Sequence, residues 1–199
     1  MIKAVLFDFG GVLANEGFKE GFYAIAQKNN LPYEPFLSCV ADMVLETGYV
    51  LGNCDETVFW KAARSACGFT GSNDELRKEI LSRFVLRNPV LDFAASLRPE
   101  GFVTGILSDQ TNWLEELNDK KHFYDLFDYV FNSYRLKMSK REETIFSFVC
   151  QIVGFKPYEV FFIDDTPDVV ERAARVGLKS FLFKSIDDLS EINKLLQQE

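Results

Sequence analysis

The sequence is poor in the residues that hold soft metals: it has one histidine, His122, and four cysteines. Cys39, Cys54, Cys67 and Cys150 show no CxxC spacing and no histidine neighbours, so a zinc site is not expected. The thiols are expected to be reduced and for the most part buried, as free cysteines usually are. Positive charge is also short. Against 30 Asp and Glu there are 22 Lys and Arg, a formal net charge of -8. Such a chain has no basic surface for a nucleic-acid backbone, and no nucleic-acid partner is expected. A small anion is still admissible, because lysine, backbone N–H groups and a metal act locally whatever the net charge. No run of about 18 apolar residues is present, which argues against a membrane span. The opening Met-Ile-Lys-Ala-Val-Leu-Phe-Asp lacks a secretory n-region and is interrupted too soon for an h-region, so a soluble, cytoplasmic protein is expected.

What is abundant is apolar surface. With 47% hydrophobic residues in 199, the chain can bury one core and carry a modest insertion. Short apolar runs bounded by turn residues occur at Ala4 to Phe7, Phe102 to Leu107, Tyr129 to Phe131, Val160 to Ile163 and Ser180 to Phe183. Helical periodicity lies between the later ones. Ile145, Phe146, Val149 and Ile152 mark one helix face, closed by Gly154 and followed by Pro157. Alternation of this kind predicts an α/β fold built on a doubly wound, Rossmann-like parallel sheet.

The stretch from about Asn15 to Asn88 breaks the alternation, with several helical patterns and no convincing strand. Ser72 with Glu75 forms a capping-box signature, and Asp55 is placed to cap the helix carrying Val58, Phe59 and Ala62. The expected organisation is an α/β core of residues 1–14 and 89–199, with a helical cap of residues 15–88 inserted after the first strand. Ligands of open α/β sheets bind beyond the carboxyl ends of the strands, where such a cap would sit.

Three of the strands end in polar residues: Asp8, Ser108-Asp109 and Asp164-Asp165. Each has an ordinary reading as a turn or a helix cap, Thr166-Pro167 being a good helix start. Together they converge on one sheet edge. Carboxylates gathered there repel unless a cation or shared proton intervenes, and oxygen-only donors suit Mg²⁺.

The run Phe7-Asp8-Phe9-Gly10-Gly11-Val12-Leu13, then Leu107-Ser108-Asp109, Lys140 in Met138-Ser139-Lys140, and Phe162-Ile163-Asp164-Asp165 resemble, in order, the four motifs of the haloacid dehalogenase superfamily. The resemblance spans essentially the whole chain. Gly52 through Trp60 is similar to a cap segment of the branch containing sugar-1-phosphate phosphatases and epoxide-hydrolase phosphatase domains. It implies a Mg²⁺-dependent phosphomonoesterase acting on a small phosphorylated metabolite, sugar phosphates among the candidates. Asp8 is the implied nucleophile and Lys140 its cationic neighbour. Ser108 and the N–H of Asp109 are the implied phosphate donors. The implied metal ligands are Asp8, the Gly10 carbonyl and Asp165, with Asp164 in a supporting place.

Three positions depart from the family pattern. Gly10 stands where the acid/base aspartate usually is, Arg141 where proline commonly follows the lysine, and Val169 where a polar residue is common, with Asp168 as a substitute. Gly10 keeps open a catalytically weak module that binds phosphate or protein. A metal-independent 2-haloacid dehalogenase is the other alternative, against which the paired Asp164-Asp165 argues. Among the aromatics of residues 15–88, Phe18, Phe22, Tyr23, Tyr49, Phe59 and Trp60 are expected to form cap core rather than a ligand platform. Monomer and homodimer are both allowed.

Overall fold

The computed structural model describes residues 1–197. In chain order its regular elements are β1 (Ala4–Phe7), α1 (Gly17–Lys28), α2 (Tyr33–Glu46), α3 (Glu56–Cys67), α4 (Asn73–Arg83), α5 (Asn88–Leu97), β2 (Val103–Ser108), α6 (Trp113–Lys121), β3 (Tyr129–Asn132), α7 (Ser133–Leu136), α8 (Thr144–Val153), β4 (Val160–Asp164), α9 (Pro167–Val176), β5 (Lys179–Leu182) and α10 (Leu189–Gln197).

The five strands form one sheet in the order β3-β2-β1-β4-β5, with every pairing parallel. A strand covered on both faces reads as a continuous apolar run, which is why Ala4, Val5, Leu6 and Phe7 carry no polar side chain and are fully buried. The chain winds from β1 outwards to β3, then returns to place β4 on the other side of β1. That reversal between β1 and β4 opens the crevice in which doubly wound sheets hold ligands.

Between β1 and α5 the chain is helical, as the sequence predicts. Ser72 accepts from the Glu75 N–H while the Glu75 carboxylate takes the Ser72 N–H, and Asp55 accepts from the Val58 N–H. α1 and α4 pack closely enough that a Cβ added to Gly21 would lie 2.6 Å from the Ile80 Cα. Aromatic packing ties α3 to the core: Phe59, Trp60 and Tyr49 are fully buried and gather round Trp113 of α6.

Two expectations are corrected. Ile152 is 47% exposed, and the buried stripe of α8 runs instead through Ile145, Phe146, Val149, Cys150 and Val153, because helical pitch carries position 152 off the face that covers the sheet. Cys39 and Cys67 are not free thiols but a disulfide. α2 and the end of α3 bring their Cα atoms to 5.8 Å although the residues are 28 apart in sequence. Cys54 and Cys150 remain as thiols. Among the described residues no helix is long and apolar enough to cross a membrane.

Candidate active site

β1, β2 and β4 end side by side, and their terminal residues meet. Asp8 is anchored by its own N–H to the Ile163 carbonyl at 2.9 Å, which fixes it at the β1/β4 boundary. Its Oδ1 accepts from three donors: the Phe9 N–H at 2.7 Å, the Ser108 hydroxyl at 2.6 Å and the Lys140 ammonium at 2.9 Å. Among the described residues no hydrogen bond to Oδ2 is found, and Asp8 lines the cavity, which leaves Oδ2 as the oxygen available to it. One oxygen of Asp8 is therefore held and the other is presented.

Lys140 is placed from two sides. The Asp109 carboxylate accepts from the Lys140 N–H at 2.9 Å and from the Ser139 hydroxyl at 2.6 Å, and Arg172 of α9 donates to the Lys140 carbonyl at 2.8 Å. The ammonium then bridges Asp8 and Asp164, reaching Asp164 Oδ2 at 2.6 Å. Burial opposes charge on Lys140, but Asp8, Asp164 and Asp109 outweigh it and its pKa is raised. Burial pushes the Asp8 carboxyl up to about 7, Lys140 acting in the opposite direction and Asp164 in the same one. Asp164 is fully buried, and its Oδ1 also accepts the Thr166 N–H at 2.8 Å, so one side chain starts α9 and anchors the lysine.

Asp165 is less enclosed, and its pKa is raised by burial and by Asp164. Asp8, Asp164 and Asp165 offer oxygens within 4.8 Å of one another. Three carboxylates with one lysine leave an uncompensated negative charge, and all donors are hard oxygens, the chemistry a small divalent cation satisfies. Gly11 carries the second sign of a fitted cradle. Its φ is +82°, and a Cβ there would fall 2.2 Å from Asp165 Oδ2, so only glycine lets that carboxylate close on the β1 loop.

These residues line one cavity of about 430 Å³, within the range of small-molecule sites. Asp8, Gly10, Ser108, Asp109, Lys140 and Asp165, all expected from the sequence, lie on its wall; Asp164 sits behind it, paired to Lys140. Arg141 and Val169, noted as departures, line it too, as does Asp168, the substitute expected for Val169. The sequence reading missed Glu16, Lys19, Gln110, Thr111 and Arg172, together with the apolar Ala41, Val44, Leu45 and Val50. Gln110 and Thr111 simply continue the chain beyond the Ser108-Asp109 strand end, and the packing of α1, α2, α9 and the turn at residues 48–53 brings the others to the cavity. Burial raises the Glu16 pKa, Lys19 opposes and Asp165 reinforces the rise. Of the aromatics expected to be core, Phe22, Tyr49, Phe59 and Trp60 are fully buried and Tyr23 is exposed; Phe18 alone of the six lines the cavity. Trp60 instead donates to Glu56 at 2.7 Å.

Comparison with known proteins agrees with this geometry. A HAD family enzyme from Bacteroides thetaiotaomicron, solved with magnesium and inorganic phosphate, superposes with a TM-score of 0.75 at 26% identity over 96% of this chain and 99% of that one. A predicted HAD-like family hydrolase from Porphyromonas gingivalis gives 0.79 at 25% identity over the whole of both chains. Bifunctional epoxide hydrolase 2 from Rattus norvegicus is 27% identical over 147 residues, 68% of this chain; the match spans only 26% of that protein's length. The family model of the haloacid dehalogenase-like hydrolases matches residues 2–177, and the chain belongs to that family.

Proposed function

We propose that the protein is a Mg²⁺-dependent phosphomonoesterase that acts on a small phosphorylated metabolite through an aspartyl-phosphate on Asp8. The observation that carries this reading is the split of Asp8: Oδ1 takes three donors while Oδ2 is left available to the cavity. An oxygen held that way is aimed at one point, and placed nucleophiles and fixed donors supply most of the effect in phosphoryl transfer. The bacterial relative's complex with magnesium and phosphate supports the same chemistry.

In this reading Asp8 Oδ2 attacks phosphorus in line, and the phosphoryl oxygens receive the Ser108 hydroxyl, the Asp109 N–H and the Lys140 ammonium. Asp8, the Gly10 carbonyl and Asp165 would hold Mg²⁺, with Asp164 supporting the site through Lys140. When bound, the ion supplies positive charge that screens the repulsion between Asp8 and the phosphoryl group. Residues 15–88 act as a cap over residues 1–14 and 89–199, contributing Glu16, Phe18, Lys19, Ala41, Val44, Leu45 and Val50 to the cavity roof. That roof sets an apolar patch beside two charged side chains, Glu16 and Lys19.

Gly10 favours a second reading, a module that binds phosphate and turns it over weakly. Phosphate release from p-nitrophenyl phosphate and a panel of phosphorylated metabolites, with Mg²⁺ and with chelator, separates the two. Mg²⁺-dependent release that Asp8→Asn abolishes is the expected outcome. Absence of release by the folded wild type from every substrate would leave the binding module.

A further inference from the structure

Position 10 lacks a carboxylate of its own, yet the space beside it holds one. Gly10 is outside the left-handed region, and a Cβ built on it would lie 3.5 Å from Oε1 of Glu16 and 3.7 Å from Nε2 of Gln110. These are ordinary contact distances, so neither backbone nor crowding demands glycine. What stands next to the missing side chain is the carboxylate of the residue that precedes α1.

Local structure does not account for that carboxylate. Glu16 occupies the N-cap position of α1 without making a side-chain capping hydrogen bond. Its ion-pair partner, Lys19, is 3.5 Å away, looser than the 2.7–2.9 Å typical of a charge-assisted bond. The side chain is 28% exposed and lines the same cavity as Asp8.

We infer that Glu16 is the proton-transfer residue of this site, reaching in from the head of α1 to stand in for the carboxylate that Gly10 lacks. The inference rests on the phosphomonoesterase reading. In the first step the Asp8 Oδ2–P bond forms as the bond from phosphorus to the leaving oxygen breaks, and the Glu16 carboxyl gives its proton to that oxygen, releasing the alcohol. In the second step the Glu16 carboxylate takes a proton from water as the water oxygen bonds to phosphorus. The Asp8–P bond breaks, inorganic phosphate leaves, and Asp8 carboxylate and protonated Glu16 are restored. Esters of ordinary alcohols, whose alkoxides do not leave unprotonated, therefore fall within the substrate range.

The test compares wild type, Glu16→Gln, Glu16→Asp and the double variant Gly10→Asp/Glu16→Gln, each checked for fold by circular dichroism. The substrates are p-nitrophenyl phosphate, whose leaving group needs no proton, and the alkyl phosphate that wild type cleaves best. Intact mass after acid quench reads the phosphoryl-enzyme. Glu16→Gln is expected to lose about 10²-fold in kcat/KM on the alkyl ester, the lower end of what a general acid supplies. Its kcat/KM on the aryl ester is expected to change little, while phosphoryl-enzyme accumulates because the second step has lost its base. Glu16→Asp keeps more alkyl activity than Glu16→Gln, and the double variant regains part of it. Equal losses on both substrates, no loss on either, or a wild type that cleaves the aryl ester alone would overturn the role of Glu16. A wild type that releases no phosphate from anything overturns the phosphomonoesterase reading first, and the role with it.

Discussion

At the scale of single residues the site is a set of constraints that leave little choice of side chain. Gly11 shows this most sharply, because two independent penalties meet there. Its φ of +82° costs a side-chain-bearing residue about 1–2 kcal/mol, and an added Cβ would lie 2.2 Å from Asp165 Oδ2. Relief can come from moving the loop or from displacing the Asp165 carboxylate. The carboxylate is the softer of the two, since its hydrogen-bond partner is the Thr166 hydroxyl at 3.3 Å, whereas the loop is held by the bond from Gly11 N–H to Ala14 carbonyl at 2.8 Å. Gly11→Ala is thus expected to fold, with a thermal midpoint within a few degrees of wild type, and to bind Mg²⁺ at least about tenfold more weakly, as happens when a ligand is misplaced. Isothermal titration with Mg²⁺ reads the affinity; an unchanged value would show that Asp165 is not a ligand. The sequence made Asp8, Ser108, Lys140 and Asp165 legible because each ends an apolar run or sits in a motif. It gave no sign of Glu16 or Lys19, whose relevance arises only from the direction in which α1 leaves the loop.

Elements were legible to the degree that their burial was simple. All five strands appear where apolar runs predict them, displaced by a residue at most for β2 and β5, because strands packed inside the molecule are built mostly of apolar side chains, with polar ones such as Ser108 and Asp164 at their ends. α8 was read with its stripe one position astray at Ile152, since a helix that is apolar nearly all round does not announce which face is inward. The disulfide was missed for a stronger reason: Cys39 and Cys67 meet only after α2 and α3 have packed, and no spacing rule spans that. Closing a loop of 28 residues constrains the unfolded chain by about 3–4 kcal/mol in the chain-entropy account. Thiol titration in denaturant is expected to find Cys54 and Cys150 reactive without reductant and all four cysteines after reduction. The reduced protein should melt at a lower temperature. Four reactive thiols in the unreduced protein would show the bond to be absent, and the helices α2 and α3 would then depend on their apolar contacts alone.

At the scale of the whole molecule the proposed cap and the core meet through one short segment as well as through the aromatic cluster. Residues 48–53 turn back on themselves and lie against α7. The Ser133 hydroxyl donates to the Val50 carbonyl at 2.9 Å, Lys137 to the Gly52 carbonyl at 2.9 Å, and Tyr49 to Asn112 at 2.5 Å. The helical character of the stretch between Asn15 and Asn88 was readable from its loss of strand signal, whereas its docking was not, because the donors come from Tyr49 on one side and Ser133 and Lys137 on the other. Gly52 is the tightest point: φ is +62°, and a Cβ would fall 2.5 Å from the Tyr134 carbonyl oxygen. Backbone on both sides means that neither partner yields as a flexible side chain would. Gly52→Ala must therefore lift the segment off α7, releasing the Lys137 bond and shifting Val50, which lines the cavity roof. Asp8, Ser108 and Asp165 belong to the strand ends, Lys140 is held by Asp8 and Asp164, and all four keep their geometry. The expected result is a KM raised by roughly tenfold, the loss of one or two contacts worth about 1.4 kcal/mol in total, with kcat changed much less. Limited proteolysis should cut the 48–53 segment faster than in wild type. A fall in kcat at constant KM would instead mean that closure of the cap sets the geometry at Asp8, and that cap and core act as one body in the chemical step.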